Sequence, residues 1–329
     1  MVVLALAPLF VAAAYAALPF KGVDWSSTIV EEQAGKSWQD SAGSVQPLES
    51  ILKTNGVNTV RQRIWNNPSD GNYNLDCNIA LAKRAKVAGL SVYLDFHYSD
   101  IWADPVHQTT PAAWTNLNID DMADELYIYT RNSLNAFQAA GIAPSIVSIG
   151  NEITQGMLWP LGKNTNSFHN LARLLHSAAF GHWETQKWWY DAVLAAGPLL
   201  RSDFDIQGVS YYPFYNSAAT LSSLKTSLTN MRAAYAKDTM VVETNWPSSC
   251  PNPKYAFPAD TKNIPLSPAG QATWMKDVAG VCSEAGCTGL FYWEPAWIDN
   301  AGLGSSCDWN LLVEKSGKVM SSMSVFKSI

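Results

Sequence analysis

Short apolar, β-branched runs alternate along the chain with stretches whose apolar positions recur at helical spacing. The runs Phe20–Trp25, Val57–Trp65, Leu90–Tyr98, Ser145–Glu152, Ile206–Tyr215, Met240–Trp246 and Gly289–Glu294 predict strands. Between them, Asp76–Ala88 carries Ile79, Leu81, Ala82, Ala85 and Ala88 on one face and predicts a helix. Asp121–Ala140 and Pro268–Ala285 predict two more. Gly89, Gly141 and Gly286 sit just past these helices, where a left-handed C-cap wants glycine. Strand–helix alternation without a Pro/Ser-rich linker predicts parallel βα units in one α/β domain.

The count is seven strands, one short of a (β/α)₈ barrel. The shortfall falls in 167–200. There Leu171, Leu174, Leu175 and Ala178 form one helical face and Trp188, Ala192, Ala195 and Ala196 another. Only Thr185 and Val193 are β-branched in that stretch, so two helices meet directly at Gly181-His182. The expected architecture is therefore a TIM barrel missing its fifth strand between Phe180 and Gly181. The neighbouring strands then either pair across the gap or leave two unpaired edges.

The N-terminus adds a compartment. Val2–Ala14 is an apolar run too short to span a bilayer, and Ala14-Tyr15-Ala16 has the small-x-small pattern of a cleavage site. Residues 1–16 are expected to be a secretory signal peptide and 17–329 the (β/α)₈-barrel domain, although no basic residue precedes the apolar run. No later run is long and apolar enough to cross a membrane. The five cysteines (Cys77, Cys250, Cys282, Cys287, Cys307) suit an oxidising compartment, but their spacing selects no pairing and matches no zinc site. No Asn-x-Ser/Thr sequon occurs.

Composition narrows the partners. With 47% hydrophobic residues, 15% charged residues and a net charge of −6, the chain can fill a large core and offers no basic field for nucleic acid. Its 14 tryptophans and 13 tyrosines fill core, and also suit the apolar faces of sugar rings.

Two carboxylates stand out by position. Glu152 ends Ser145-Ile-Val-Ser-Ile-Gly-Asn-Glu and Glu243 ends Met240-Val-Val-Glu, each an apolar strand running into polar residues. Parallel barrels gather their C-terminal strand ends on one face. Two carboxylates across a cleft there are the equipment of glycoside hydrolysis: one protonates the leaving oxygen, the other attacks the anomeric carbon. Arg61 and Arg63, in Val60-Arg-Gln-Arg-Ile-Trp65, end another strand and can hold a carboxylate ionised; structural ion pairing is the alternative. His97 is a candidate to bond a sugar hydroxyl, and Tyr212 to donate to Glu243. Trp293 is a candidate floor for the cleft. Trp102 and Trp297 fall in loops after strands and can stack on sugars, with core packing the plainer role for each. No calcium loop, phosphate-binding loop, serine nucleophile elbow or dinucleotide fingerprint occurs, so no metal or cofactor is expected.

These residues sit in longer segments that carry a resemblance: Gly22-Val-Asp-Trp-Ser-Ser27, Arg61-Gln-Arg-Ile-Trp65, His97-Tyr-Ser-Asp-Ile-Trp-Ala-Asp-Pro105, Ile149-Gly-Asn-Glu-Ile153, Val209-Ser-Tyr-Tyr-Pro-Phe-Tyr215, Val242-Glu-Thr-Asn-Trp-Pro247 and Tyr292-Trp-Glu-Pro-Ala-Trp297. The chain resembles the fungal arabinogalactan endo-β-1,4-galactanases of glycoside hydrolase family 53, in the clan of retaining (β/α)₈ glycosidases. The resemblance implies Glu152 as acid/base, Glu243 as nucleophile, and Arg61, Asn151, Tyr212 and Trp293 as supporting residues. It implies a secreted monomer acting on the β-1,4-galactan side chains of pectin, without the calcium site of bacterial relatives. Family members carry a loop and a fifth strand where Phe180 here runs into Gly181-His182-Trp183, so the pattern departs where the strand count fails. A related hydrolase acting on mannan or glucan, or a non-catalytic galactan-binding barrel, is the alternative.

Overall fold

The computed structural model describes residues 17–175 and 183–329. The expected leader (1–16) and the Phe180–Gly181 junction lie outside the described residues. Seven strands form one parallel sheet: β1 (Phe20–Asp24), β2 (Thr59–Ile64), β3 (Ser91–Phe96), β4 (Ile146–Ile149), β5 (Ile206–Ser210), β6 (Asp238–Glu243) and β7 (Gly289–Tyr292). Their order is β4-β3-β2-β1-β7-β6-β5, all neighbours parallel, with a register shift at Val209/Ser210. The curled sheet is a barrel open on one side, with β4 and β5 as its two edges. The expected strand shortfall thus appears as an open seam rather than as pairing across the gap, and Val147 on β4 is 37% exposed.

Among the described residues the α-helices are α1 (Thr28–Gln33), α2 (Leu48–Thr54), α3 (Leu75–Val87), α4 (Ile119–Ala139), α5 (Phe168–Leu174), α6 (Trp183–Ala196), α7 (Leu221–Tyr235) and α8 (Pro268–Ala285). The long ones match the periodicity. Asn74, Asn118, Thr220 and Ser267 cap α3, α4, α7 and α8 through side chains that accept first-turn N–H groups. Gly89, Gly141 and Gly286 all adopt positive φ, as a left-handed cap needs. On α3 the fully buried residues are Asn78, Leu81, Ala82 and Ala85, with Ile79 and Ala88 half-buried against the core, so Asn78 joins the expected face. The polar residue is buried because its amide donates to the carbonyls of Arg63 and Tyr73, tying the helix to the end of β2.

Two apolar layers result. Tyr93, Met240, Val242 and Phe291 fill the barrel interior, packed by Phe20, Ile146 and Ile206. The larger cluster fills the space between sheet and helices. Each strand stops short of its predicted C-terminal end. In three of them the cause is local: Tyr98, Glu152 and Glu294 take positive φ, turning the chain out of the sheet two or three residues after the last strand residue. One disulfide, Cys250–Cys307, joins the loops after β6 and β7, while Cys77, Cys282 and Cys287 are free thiols.

Two glycines of α8 separate propensity from packing. A Cβ at Gly270 would lie 1.6 Å from the Pro265 carbonyl oxygen, whereas one at Gly280 meets nothing within 4 Å. Gly280→Ala is therefore expected to raise stability by about 0.5–1 kcal/mol. Gly270→Ala is expected to lower it by about 1–3 kcal/mol. Denaturant midpoints of the two variants check this opposition of sign.

Candidate active site

The C-terminal strand ends meet in a cleft of about 460 Å³ whose walls include Arg61, His97, Trp102, Asn151, Glu152, Tyr212, Glu243, Trp293 and Trp297. Every residue singled out from the sequence as catalytic or substrate-binding therefore lines one cavity. The cleft also takes Asp104, Tyr215 and Asn245, none of which the sequence pattern picked out.

Arg61, on β2, is 2% exposed and holds the site together. Its Nη1 lies 2.7 Å from Glu243 Oε1 and 3.1 Å from Asp24 Oδ2, and its Nη2 lies 2.8 Å from Asp95 Oδ2. Nη2 also donates to Asn151 Oδ1 at 2.9 Å. Burial works against this cation, but Asp95, Glu243, Tyr93 and Asp24 outweigh it and raise the pKa of Arg61 well above its ordinary value. Asp24 and Asp95 were not assigned roles from sequence. The signal that could have found them is an acidic residue at or near the end of an apolar strand, the same one that marked Glu152 and Glu243.

Glu243, the last residue of β6, accepts from the Tyr212 hydroxyl at 2.8 Å, as expected from the sequence. Its carboxyl stands above its ordinary value, because burial pushes it up by more than Arg61 and then Tyr212 pull it back. Glu152 follows Gly150-Asn151 at the end of β4, where Gly150 (φ 88°) and Glu152 (φ 48°) turn the chain toward the cleft. Its pKa is pushed up to about 8, by burial first and then by the negative charge of Glu243, against a hydrogen bond from Ser210. The two carboxylates titrate as a pair. A proton shared between them sits on Glu152, because Glu243 has the direct contact with Arg61 and Glu152 has none.

Asn151 and His97 act within the protein. Asn151 Nδ2 donates to the Ala103 carbonyl at 2.8 Å while its Oδ1 accepts from Arg61. His97 Nδ1 accepts from Trp65 Nε1 and from the Ala103 amide, each at 3.2 Å, which leaves its proton on Nε2, 3.1 Å from Asp95 Oδ2. Both ring nitrogens are thus engaged, so His97 presents no free nitrogen to a sugar hydroxyl. It orients Asp95, which Arg61 and His97 hold below the usual carboxylate range despite burial.

The aromatic side of the cleft is continuous. Trp102 sits 6.2 Å from Trp293 in an edge-to-face contact, and lies 6.1 Å from Trp297 with the rings within 19° of parallel. All three are partly exposed. An open barrel, a coupled carboxylate pair and a tryptophan wall at the C-terminal strand ends together define a barrel glycosidase site.

Comparison with known proteins places it further. The glycosyl hydrolase family 53 model matches residues 20–182 and 174–326. An arabinogalactan endo-β-1,4-galactanase of Thermothelomyces thermophilus is 58% identical over 334 residues, covering 95% of this chain and all of that one. One from Humicola insolens is 57% identical over the same shares. Among solved structures, a fungal β-1,4-galactanase superposes with TM-score 0.92 at 56% identity over 95% of this chain and all of that one. The family 53 catalytic domain of Ignisphaera aggregans gives 0.83 at 28%, over 98% of each chain. This chain belongs to glycoside hydrolase family 53. The alignment with the Thermothelomyces protein is longer than the whole 329-residue chain, so that relative carries residues that this chain lacks.

The raised pKa of Glu152 has a stability consequence. Between its ordinary 4.5 and about 8, the folded chain keeps a proton that the unfolded chain releases. Stability from this group is complete below pH 4.5 and is lost as pH rises through about 8. Glu152→Gln removes that loss. The variant is expected to melt at least about 3 °C above the parent at pH 8 and within about 1 °C of it at pH 4, by thermal unfolding in both buffers.

Proposed function

We propose that this chain is a retaining endo-hydrolase of β-1,4-galactan, acting on galactan and arabinogalactan side chains of pectin. The supporting observation is the asymmetry of the carboxylate pair: Glu243 is paired to Arg61 at 2.7 Å, while Glu152, half-buried, has no ion-pair partner among the described residues. Glu152 starts protonated and donates to the glycosidic oxygen as that bond breaks. Glu243 starts ionised and attacks the anomeric carbon, forming a glycosyl ester. Glu152, now a carboxylate, takes a proton from water as the water's oxygen displaces Glu243 from the sugar. Glu152 then carries a proton again, and the second inversion restores the original anomeric configuration.

Arg61 and the Tyr212 hydroxyl stabilise the charge on Glu243 in the free enzyme and release it during attack. The tryptophan wall supplies flat apolar faces for galactose rings. The names of the close relatives support galactan as substrate, and the Val2–Ala14 run supports secretion. The enzyme works as a single chain on a polysaccharide outside the cell.

Glu243→Ala is expected to reduce galactan turnover at least about 10⁴-fold. Activity within tenfold of the parent would remove Glu243 as nucleophile. Reducing-end release from galactan should far exceed that from mannan and cellulose, and NMR of early products should show the β-anomer. Predominant release from mannan or cellulose would point to a different hydrolase, and binding to galactan without product to a non-catalytic barrel. The alkaline limb of kcat/KM is expected near pH 8, set by Glu152. A limb at the same pH in Glu152→Gln assayed on an aryl galactoside would assign it to another group.

A further inference from the structure

One buried cation near the cleft has no part in the chemistry just described. Arg63, two residues beyond Arg61 on β2, is 1% exposed, and its ion-pair partners among the described residues are Asp24 and Glu294. Its guanidinium carbon lies 4.5 Å from the centre of the Trp102 ring and 5.2 Å from that of Trp297, with Tyr73 at 4.4 Å. The two tryptophans come from separate loops, after β3 and after β7, and Arg63 is the charged group that both rings share. We infer that Arg63, clamped by Glu294, is the positioning residue of the Trp102–Trp297 platform and sets how strongly the cleft holds a sugar ring. The inference rests on the galactan reading and concerns the wall rather than the carboxylate pair.

The clamp is built in two parts. Glu294 Oε1 accepts from Arg63 Nη1 at 2.6 Å, from Ser27 Oγ at 2.7 Å and from the Ser27 amide at 3.0 Å. Ser27 Oγ also receives Arg63 Nη2 at 2.7 Å, so hydroxyl, carboxylate and guanidinium close a ring of contacts. Glu294 sits at φ 43°, three residues before Trp297, in a conformation that costs energy and is held by these bonds. Just beyond Trp297, the buried Glu31 accepts from the amides of Ile298 at 2.9 Å and Asp299 at 3.2 Å. Trp38 Nε1 donates to the Ala296 carbonyl at 3.2 Å. The backbone on both sides of Trp297 is thereby pinned, and its indole leans on Arg63.

A planar guanidinium suits this place because it can lie against flat rings while its edge binds a carboxylate. An ammonium cannot do both. Lysine would keep the charge and the Glu294 pair but lose the face that supports the indoles. Glutamine at 294 would keep the shape and the Ser27 contacts but weaken the hold on Arg63. A purely structural ion pair would lower stability and the active fraction together, leaving KM unchanged. A platform support moves KM.

The test compares Arg63→Lys and Glu294→Gln with the parent in galactan hydrolysis and in tryptophan emission. Arg63→Lys is expected to raise KM for galactan about tenfold with kcat held within about threefold. Glu294→Gln is expected to raise KM about threefold, and it decides the matter alone if Arg63→Lys does not fold. Arg63→Lys, or Glu294→Gln in its place, should also change the emission spectrum, and that change should vanish in a Trp102→Phe/Trp297→Phe background. KM within twofold of the parent in each folded variant, or an emission change that persists without those tryptophans, would overturn the inference. A parent chain that neither binds nor cleaves galactan sinks the galactan reading instead, and the emission comparison still reports on the support.

Discussion

A single guanidinium group ties the cleft to the fold. Arg61 bonds Asp24 from β1, Asp95 from β3, Glu243 from β6 and Asn151 from the turn after β4. A buried cation of this kind is tolerated only when nearby acceptors offset its charge, and here each acceptor of its two Nη groups stands at or near the end of a different strand. Meeting that requirement draws the strand ends of half the barrel toward one point. The same contact that offsets the buried cation therefore fixes the nucleophile candidate in the cleft.

From that contact the difference between two chemically identical side chains follows. Glu243 is buried and Glu152 half-buried, and loss of solvent alone would push both carboxyls up. Arg61 touches only one of them. Tyr212 and the cation keep negative charge on Glu243, and the field of that charge adds to the burial of Glu152 and pushes it up to about 8. The two carboxyls are thus distinguished by their surroundings, which is the general way a pair of carboxylates comes to divide its labour.

The second constraint is closure. Parallel strands need partners on both sides, and here β4 and β5 are the sheet's two edges. Glu152 hangs from one of those edges, and its Ser210 partner ends the other. The six remaining adjacencies and the Arg61 network hold the rest of the site in place across the closed side of the barrel. Glu243 is accordingly supported from β1, β2, β3 and β6, away from the seam, whereas Glu152 and Ser210 stand at the seam itself.

Most of the fold could be read from the chain before any coordinates. Seven apolar runs, the helical spacing between them and the glycines at positive φ define parallel βα units, because period and cap chemistry are local properties. Glu152 and Glu243 were legible as well, since a carboxylate ending an apolar strand is costly unless it is used. Other features depended on distant partners. That Trp65 donates to His97, that Asn78 is buried against the end of β2, and that Arg63 underlies two tryptophans all turn on contacts across 15 to 234 residues of sequence. The sequence by itself determined which residues alternate, cap and carry charge, because those follow from neighbours along the chain. Only the tertiary structure decided which charges meet and which carboxyl keeps the proton, because burial and pairing are set by groups brought together from separate strands.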